Sequence, residues 1–319
     1  MLNRTKFIVS HAPFWHNGSN IAERNYHMML AALPAVILGL IQYKIPALAV
    51  MSLAVSSAIL WELAFCRITK SPDSIGDGNA AMLGMVFGML LPATAPWWLV
   101  ITGTFIVIIV GKKIFGGIGA YPYHPAVVAI AILMVSWGKY FDFDAVLIQY
   151  NFDFAAAYPL ATAKYFGAEA VSYLSPANLI MGKQTGAIGA TFGLGLMLGG
   201  LYLIVRGFIR WEIAISFLAG VFLTALLFNA ANPVVYAGPA VHLLTGYTLI
   251  GAFFLATEDS SSPVNFVPML LYGALAGFMT VLIRNIGAYV DGVILAILLL
   301  NCINPLLDKI RPKALGKVV

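Results

Sequence analysis

The stretch Ile45–Cys66 reads IPALAVMSLAVSSAILWELAFC, with Glu62 as its only charged residue. A helix needs about 20 mainly apolar residues to cross the roughly 30 Å hydrocarbon core of a bilayer, so this segment spans on length and composition. Working outward, the same test gives ten candidate spans: Met28–Gln42, Ile45–Cys66, Ala80–Leu91, Trp97–Val110, Pro125–Trp137, Gly186–Val205, Ile213–Phe228, Ala240–Ala256, Phe266–Ile283 and Val290–Leu307. Ala80–Leu91 is the shortest and ends at Pro92. The composition agrees: 61% of the 319 residues are hydrophobic and 10% charged. A soluble domain carries about a quarter charged residues, and so few charges cannot cover a soluble surface. The expectation is an all-α integral membrane protein, one membrane domain over residues 1–319 with no soluble domain.

The polar stretch Met1–His27 contains no short apolar region followed by a cleavage site, so the first span reads as an uncleaved signal. Lys and Arg collect on the cytoplasmic side of a membrane protein. An inside N-terminus assigns Arg4, Lys6, Arg24, Arg67, Lys70, Lys112, Lys113, Arg206, Arg210, Lys309, Arg311, Lys313 and Lys317 to that side. Lys44, Lys139, Lys164, Lys183 and Arg284 then lie outside, 5 of the 18 basic residues. Both termini are then cytoplasmic, which fits an even span count. No basic stripe with interleaved aromatics points to nucleic acid. Cys66 and Cys302 are far apart and belong to no Cys-x-x-Cys pair, which argues against a disulfide framework or an iron–sulfur site. The interval Lys139–Thr185 falls outside and is rich in aromatics, among them Tyr140, Phe141, Phe143, Tyr150, Phe152, Phe154, Tyr158, Tyr165 and Phe166. It reads as an interfacial belt or as a docking surface for a partner subunit.

Ile118-Gly119-Ala120-Tyr121 recurs as Ile286-Gly287-Ala288-Tyr289, and Ala93-Thr94 echoes Ala256-Thr257. The offsets are about half the chain and agree with a five-plus-five division: residues 1–138, a connecting segment 139–185, and residues 186–319. An odd span count per repeat inverts the second half, an architecture typical of proteins that pass something across the bilayer. Short, Gly/Pro-interrupted spans in matching positions mark the site of such proteins. Here these are the third span, ending in Pro92–Pro96, and the eighth, ending in Thr257–Pro263. Both read as half-helices with irregular ends inside protein, since unpaired backbone cannot face lipid.

Gly186-Ala187-Ile188-Gly189-Ala190-Thr191 opens the sixth span. Gly189 and Gly193 suit close helix packing; alternatively, a threonine among glycines at a helix N-terminus suits a phosphate. Intramembrane acids suggest ion paths. Glu62 reads as a path residue or a polar end cap. Glu258 and Asp259 lie at the broken end of the eighth span, where carboxylates and freed carbonyls suit a hard cation. Asp77 and Asp291 precede helices and read as N-caps. His124 and His242 lie at opposite depths, which argues against haem ligation.

Gly111-Lys112-Lys113-Ile114-Phe115-Gly116-Gly117-Ile118-Gly119 with Tyr123-His124-Pro125-Ala126 resembles the RnfD/NqrB family. So do Gly189-Ala190-Thr191, Leu255-Ala256-Thr257-Glu258-Asp259, Asp291-Gly292-Val293, Leu299-Leu300-Asn301, Pro305-Leu306, Ser10-His11-Ala12-Pro13 and Asp77-Gly78. The chain length is similar to the RnfD branch, a subunit of the ion-pumping ferredoxin:NAD oxidoreductase of the prokaryotic inner membrane. The resemblance implies FMN joined through its phosphate to Thr191, with Gly189 and Ala190 beside it. It also implies a second, noncovalent flavin such as riboflavin near Lys112, Lys113, Gly116 and Gly117. There, positive-inside anchors beside a tight turn are the plainer reading. The family's usual Ser or Thr before the glycine, and the acid upstream, are replaced by Ile188 and Thr185. The implied role is a flavin-carrying electron-transfer subunit of a redox-driven Na+ or H+ pump, a translocase that needs the other Rnf subunits and membrane lipid. The rivals are a cofactor-free channel or carrier for a small solute, and a scaffold subunit without flavin.

Overall fold

A computed structural model describes residues 20–71, 74–148, 150–154 and 157–311. The Ser10–Pro13 motif and the terminal charges Arg4, Lys6, Lys313 and Lys317 lie outside the described residues. Among the described residues all regular structure is helical.

The first two expected spans form one helix, α1 (Ile21–Thr69), broken at Lys44, where φ is 54° and ψ −136°. Pro46 has no N–H to offer the carbonyl of Gln42, which makes this the weak point of the helix. Beside the break, the carbonyl of Tyr43 accepts the Tyr150 hydroxyl at 2.7 Å. α2 (Asn79–Met89) follows. At 1.5 Å per residue it is about 16 Å long, half a bilayer core. After a turn through Pro92–Pro96, α3 (Trp97–Phe105) runs on as a π-helix over Ile106–Lys113. α4 (Pro125–Trp137) is capped by His124, whose Nδ1 accepts from Ala126 N at 3.2 Å.

The connecting segment holds the short helices α5 (Pro159–Phe166) and α6 (Pro176–Ile180). Its aromatics divide. Phe143 and Tyr158 are buried, Tyr150 and Phe152 stack beside Tyr43, and Tyr165 and Phe166 are exposed. The second half comprises α7 (Gly193–Val205), α8 (Trp211–Ala231), α9 (Pro239–Leu244), α10 (Thr248–Ile250, continuing as a π-helix over Gly251–Leu255), α11 (Phe266–Asn285) and α12 (Val293–Leu307). Among the described residues four stretches are long and apolar enough to cross a membrane: α1, Pro125–Ile148, α8 and α11. The shorter apolar helices are α2, α7 and α12.

The halves interlock, α1 packing on α7 and α4 on α12. α8 and α11 touch backbone to backbone: a Cβ added at Gly220 would lie 2.4 Å from the carbonyl oxygen of Ala274, and one at Gly277 2.3 Å from that of Phe217. Small residues permit this approach where no water drives association.

Two expectations need correction. The sixth span does not begin at Gly186: helix starts only at Gly193, and Gly186–Thr191 is irregular. Ile188 and Gly189 direct their N–H groups to α2 instead of to a helix of their own. The eighth span is not one helix over Ala240–Ala256. It breaks at Thr245–Tyr247, where Gly246 has φ +64°, a conformation that favours glycine.

Candidate functional site

The end of α2 and the Gly186–Thr191 segment form one structure. A helix leaves its last carbonyls without intrahelical partners, and inside a bilayer no water can serve them. Here Met89 O accepts from Gly189 N at 2.9 Å, and Leu91 O from Ile188 N at 3.0 Å. Leu90 O accepts the Tyr247 hydroxyl at 2.7 Å. The end of α2 and the break between α9 and α10 thus meet, joined by Tyr247, and the glycine–threonine segment closes the same end. α1 lies against that segment, where a Cβ at Gly39 would stand 2.0 Å from the Ile188 carbonyl oxygen, and α2 is as close, where one at Gly189 would stand 2.5 Å from Met89 Cβ. The Tyr43 hydroxyl donates to Gly186 O and accepts from Gly186 N, both at 3.1 Å. The Gln184 amide donates to the carbonyls of Leu179, Thr191 and Leu244.

Thr191 sits two residues before α7 and is 1% exposed. Among the described residues its Oγ1 has no hydrogen-bond partner, and neither has that of Thr185. Phe192 gives α7 no side-chain cap, so the first-turn N–H groups are free to meet an anion. An unpartnered buried hydroxyl costs about 1–3 kcal/mol. The segment therefore has the donors, the nucleophilic oxygen and the small residues that a phosphate group requires.

Glu258 and Asp259 lie at the opposite end of the bundle. Glu258 is 2% exposed; its Oε1 accepts from the Tyr121 hydroxyl at 2.7 Å, and its Oε2 lies 3.8 Å from Arg24 Nη2. Arg24 also pairs with Asp259 at 3.0 Å. The tyrosine of the first Ile-Gly-Ala-Tyr copy thus holds the acid of the second half. Among the described residues no group of three His, Cys, Asp or Glu side chains is arranged to hold a metal ion.

Glu62 is fully buried and carries both lysines of the Lys–Gly block. Lys112 Nζ donates to its two oxygens at 2.9 and 2.8 Å, and Lys113 Nζ lies 2.8 Å from Oε1. Ser74 donates to the same carboxylate and accepts from Lys113 at 2.9 Å. Gly116 and Gly117 follow with φ of +110° and +105°, a left-handed turn. The lysine charges are thus directed at Glu62.

A further cluster escapes sequence reasoning. Arg284, 2% exposed, pairs with Asp291 at 3.0 Å and donates to His242 O at 2.7 Å and Thr248 Oγ1 at 2.8 Å. Asp291 Oδ1 caps α12 at Val293 N, and Oδ2 accepts from Tyr247 N at 2.7 Å. Tyr247 is therefore held from both sides. A lone arginine ending an apolar helix, seven residues before an aspartate, was the available signal. Asp77 caps α2 at Asn79 N.

Similarity to known proteins runs the length of the chain. The family described as NQR2, RnfD, RnfE matches residues 8–316. A subunit of the Na(+)-translocating ferredoxin:NAD(+) oxidoreductase complex of Acetobacterium woodii is 32% identical, over 97% of this chain and 94% of its own. A subunit of the proton-translocating ferredoxin:NAD(+) oxidoreductase complex of Clostridium ljungdahlii is 30% identical, over 97% and 95%. A subunit of the ion-translocating oxidoreductase complex of Cronobacter sakazakii is 30% identical, over 97% and 99%. With family motif residues and family match both extending from one half to the other, this multi-pass membrane chain belongs to the NQR2, RnfD, RnfE family.

Proposed function

We propose that this chain is the flavin-carrying membrane subunit of a redox-driven Na+ or H+ pump of the ferredoxin:NAD oxidoreductase type, working with the other subunits of that complex in the prokaryotic inner membrane. The observation that carries the reading is the unpartnered, buried Thr191 hydroxyl beside the uncapped start of α7. Thr191 would hold FMN as a phosphoester, with Gly189 and Ala190 allowing close approach and the α7 N-terminus facing the phosphate. When bound, FMN supplies one-electron redox chemistry, and the protein supplies position and field. Attachment requires the Gln184–Thr191 cover to open, because Thr191 is 1% exposed.

The ten-span reading, in two inverted five-helix repeats, is part of the same proposal. Both Ile-Gly-Ala-Tyr copies fall between the fourth and fifth spans of a half: one between Lys113 and Pro125, the other between Asn285 and Val293. Both termini are then cytoplasmic. A charge change at Thr191 acts first on the end of α2, through Ile188 and Gly189. Tyr247 passes it to α10 and its π-helix, which ends beside Glu258. Such a chain biases an ion path only if its breaks have two arrangements. The Glu62 pairing favours an anchoring role for Lys112 and Lys113 over a second, noncovalent flavin at Gly116-Gly117.

The test is reductant-driven ion uptake by vesicles holding the complex. Thr191→Ala abolishes electron transfer and uptake together. Glu258→Gln and Asp259→Asn lower uptake per electron. Unchanged uptake in both acid variants removes those residues from the path. A colourless protein that moves a solute without reductant indicates a carrier instead.

A further inference from the structure

Between α5, α9 and the end of α11 lies a small cavity of about 40 Å³. Lys164, Tyr236, His242, Arg284 and Asn285 supply its polar wall, and no carboxylate lines it. One water needs about 10–15 Å³ of such space, so a single ion or a few waters fit and a multi-atom metabolite does not.

The polar wall is rich in donors without acceptors. His242 is 3% exposed, and neither ring nitrogen has a partner among the described residues. Either nitrogen can carry the N–H. The Asn285 amide nitrogen is likewise buried and unpartnered. Lys164 gives two N–H groups to the carbonyls of Gly287 and Tyr289, at 2.6 and 2.7 Å. Three N–H groups are available to an ammonium, which leaves one. Among the described residues Lys164 makes no ion pair, while the charge of Arg284 is matched by Asp291. Waters could satisfy the amide and the imidazole. They would leave the charge of the half-buried Lys164 without a paired anion, on a wall that no carboxylate lines.

We propose that this cavity binds a small monovalent anion of chloride size, held by Lys164, Asn285 and His242, with Arg284 behind them. The site is independent of the flavin reading. Anion occupancy bears on the Arg284–Asp291 pair, and through it on the Tyr247 that joins the end of α2 to the break between α9 and α10. Because burial holds the Lys164 ammonium below the usual lysine range, a bound anion raises it again.

The experiment melts the purified complex in chloride and in gluconate at equal ionic strength, gluconate being too large for the cavity. The wild-type melting temperature rises by about 2 °C at chloride ten times above its Kd. Asn285→Asp places a carboxylate where the anion sits, so its melting temperature no longer depends on chloride. Equal wild-type melting in both salts overturns the proposal, as does an undiminished chloride response in Asn285→Asp. If that variant does not assemble, crystals of the unmodified complex in bromide decide. An anomalous peak among Lys164, His242 and Asn285 supports the site, and no peak there overturns it.

Discussion

Glu62→Gln is expected to destabilise the protein more than Lys112→Met, and combining the two is expected to restore stability. The reason is charge count. One buried carboxylate faces two ammonium groups, with Glu62 0% exposed, Lys112 1% and Lys113 10%. Lys112→Met leaves a neutral Glu62–Lys113 pair and loses two hydrogen bonds, a cost of about 1–3 kcal/mol. Glu62→Gln strands two cations beside one amide, and breaking a buried pair in this way costs about 3–5 kcal/mol. An unfolding entropy of roughly 2.1 cal/mol/K per residue gives about 0.7 kcal/mol/K for a chain of this length. Glu62→Gln therefore lowers the melting temperature by about 6 °C and Lys112→Met by about 2–4 °C. The double variant keeps only Lys113, whose long stem can carry its charge to the surface, so it melts a few degrees above Glu62→Gln. The assay is thermal unfolding of the detergent-solubilised complex, with noncovalent flavin counted in parallel. A Lys112→Met more damaging than Glu62→Gln, or a double variant less stable than either, would refute the charge count. Loss of noncovalent flavin from a fully stable Lys112→Met would make the lysine a ligand instead of an anchor.

Two further outcomes follow from the geometry. Arg284→Met strands Asp291 without its cation and costs about 3–5 kcal/mol; Arg284→Met with Asp291→Asn recovers part of it on the same melting assay. Gly189→Ala pushes a methyl to 2.5 Å from Met89 Cβ, an overpacking cost of about 1–3 kcal/mol, and lowers the yield of covalent flavin by shifting Thr191.

Hydrophobic run length made the helical character of the chain legible, and helix-start chemistry pointed to Asp77 and Asp291, which stand one residue before the N-cap glycines and accept from the first helical N–H groups. The short helix α2 was legible too, because Pro92 follows its end. What escaped depends on partners far away in sequence. Gly186–Thr191 has the glycines of a packed helix, yet its N–H groups serve carbonyls of α2 almost a hundred residues earlier. Periodicity says nothing about such capping. The break at Thr245–Tyr247 is hidden in an apolar run, marked only by Gly246. Glu62 could be flagged from its position, but pairing with two lysines fifty residues on is a tertiary fact. Lys164 and Arg284 read as ordinary outside charges, and only folding brings them to one cavity.

The most direct measurement is a denaturing gel of the protein, expressed with its flavin-attaching enzyme and viewed under ultraviolet light, beside Thr191→Ala, Thr191→Ser and Thr185→Ala. Among the described residues the buried hydroxyls of Thr185 and Thr191 both lack partners, and Thr191 is the one beside the start of α7. A phosphoester at Thr191 predicts a fluorescent band for the native chain, for Thr191→Ser and for Thr185→Ala, and a dark band for Thr191→Ala. A dark native band, or fluorescence that survives Thr191→Ala, contradicts it.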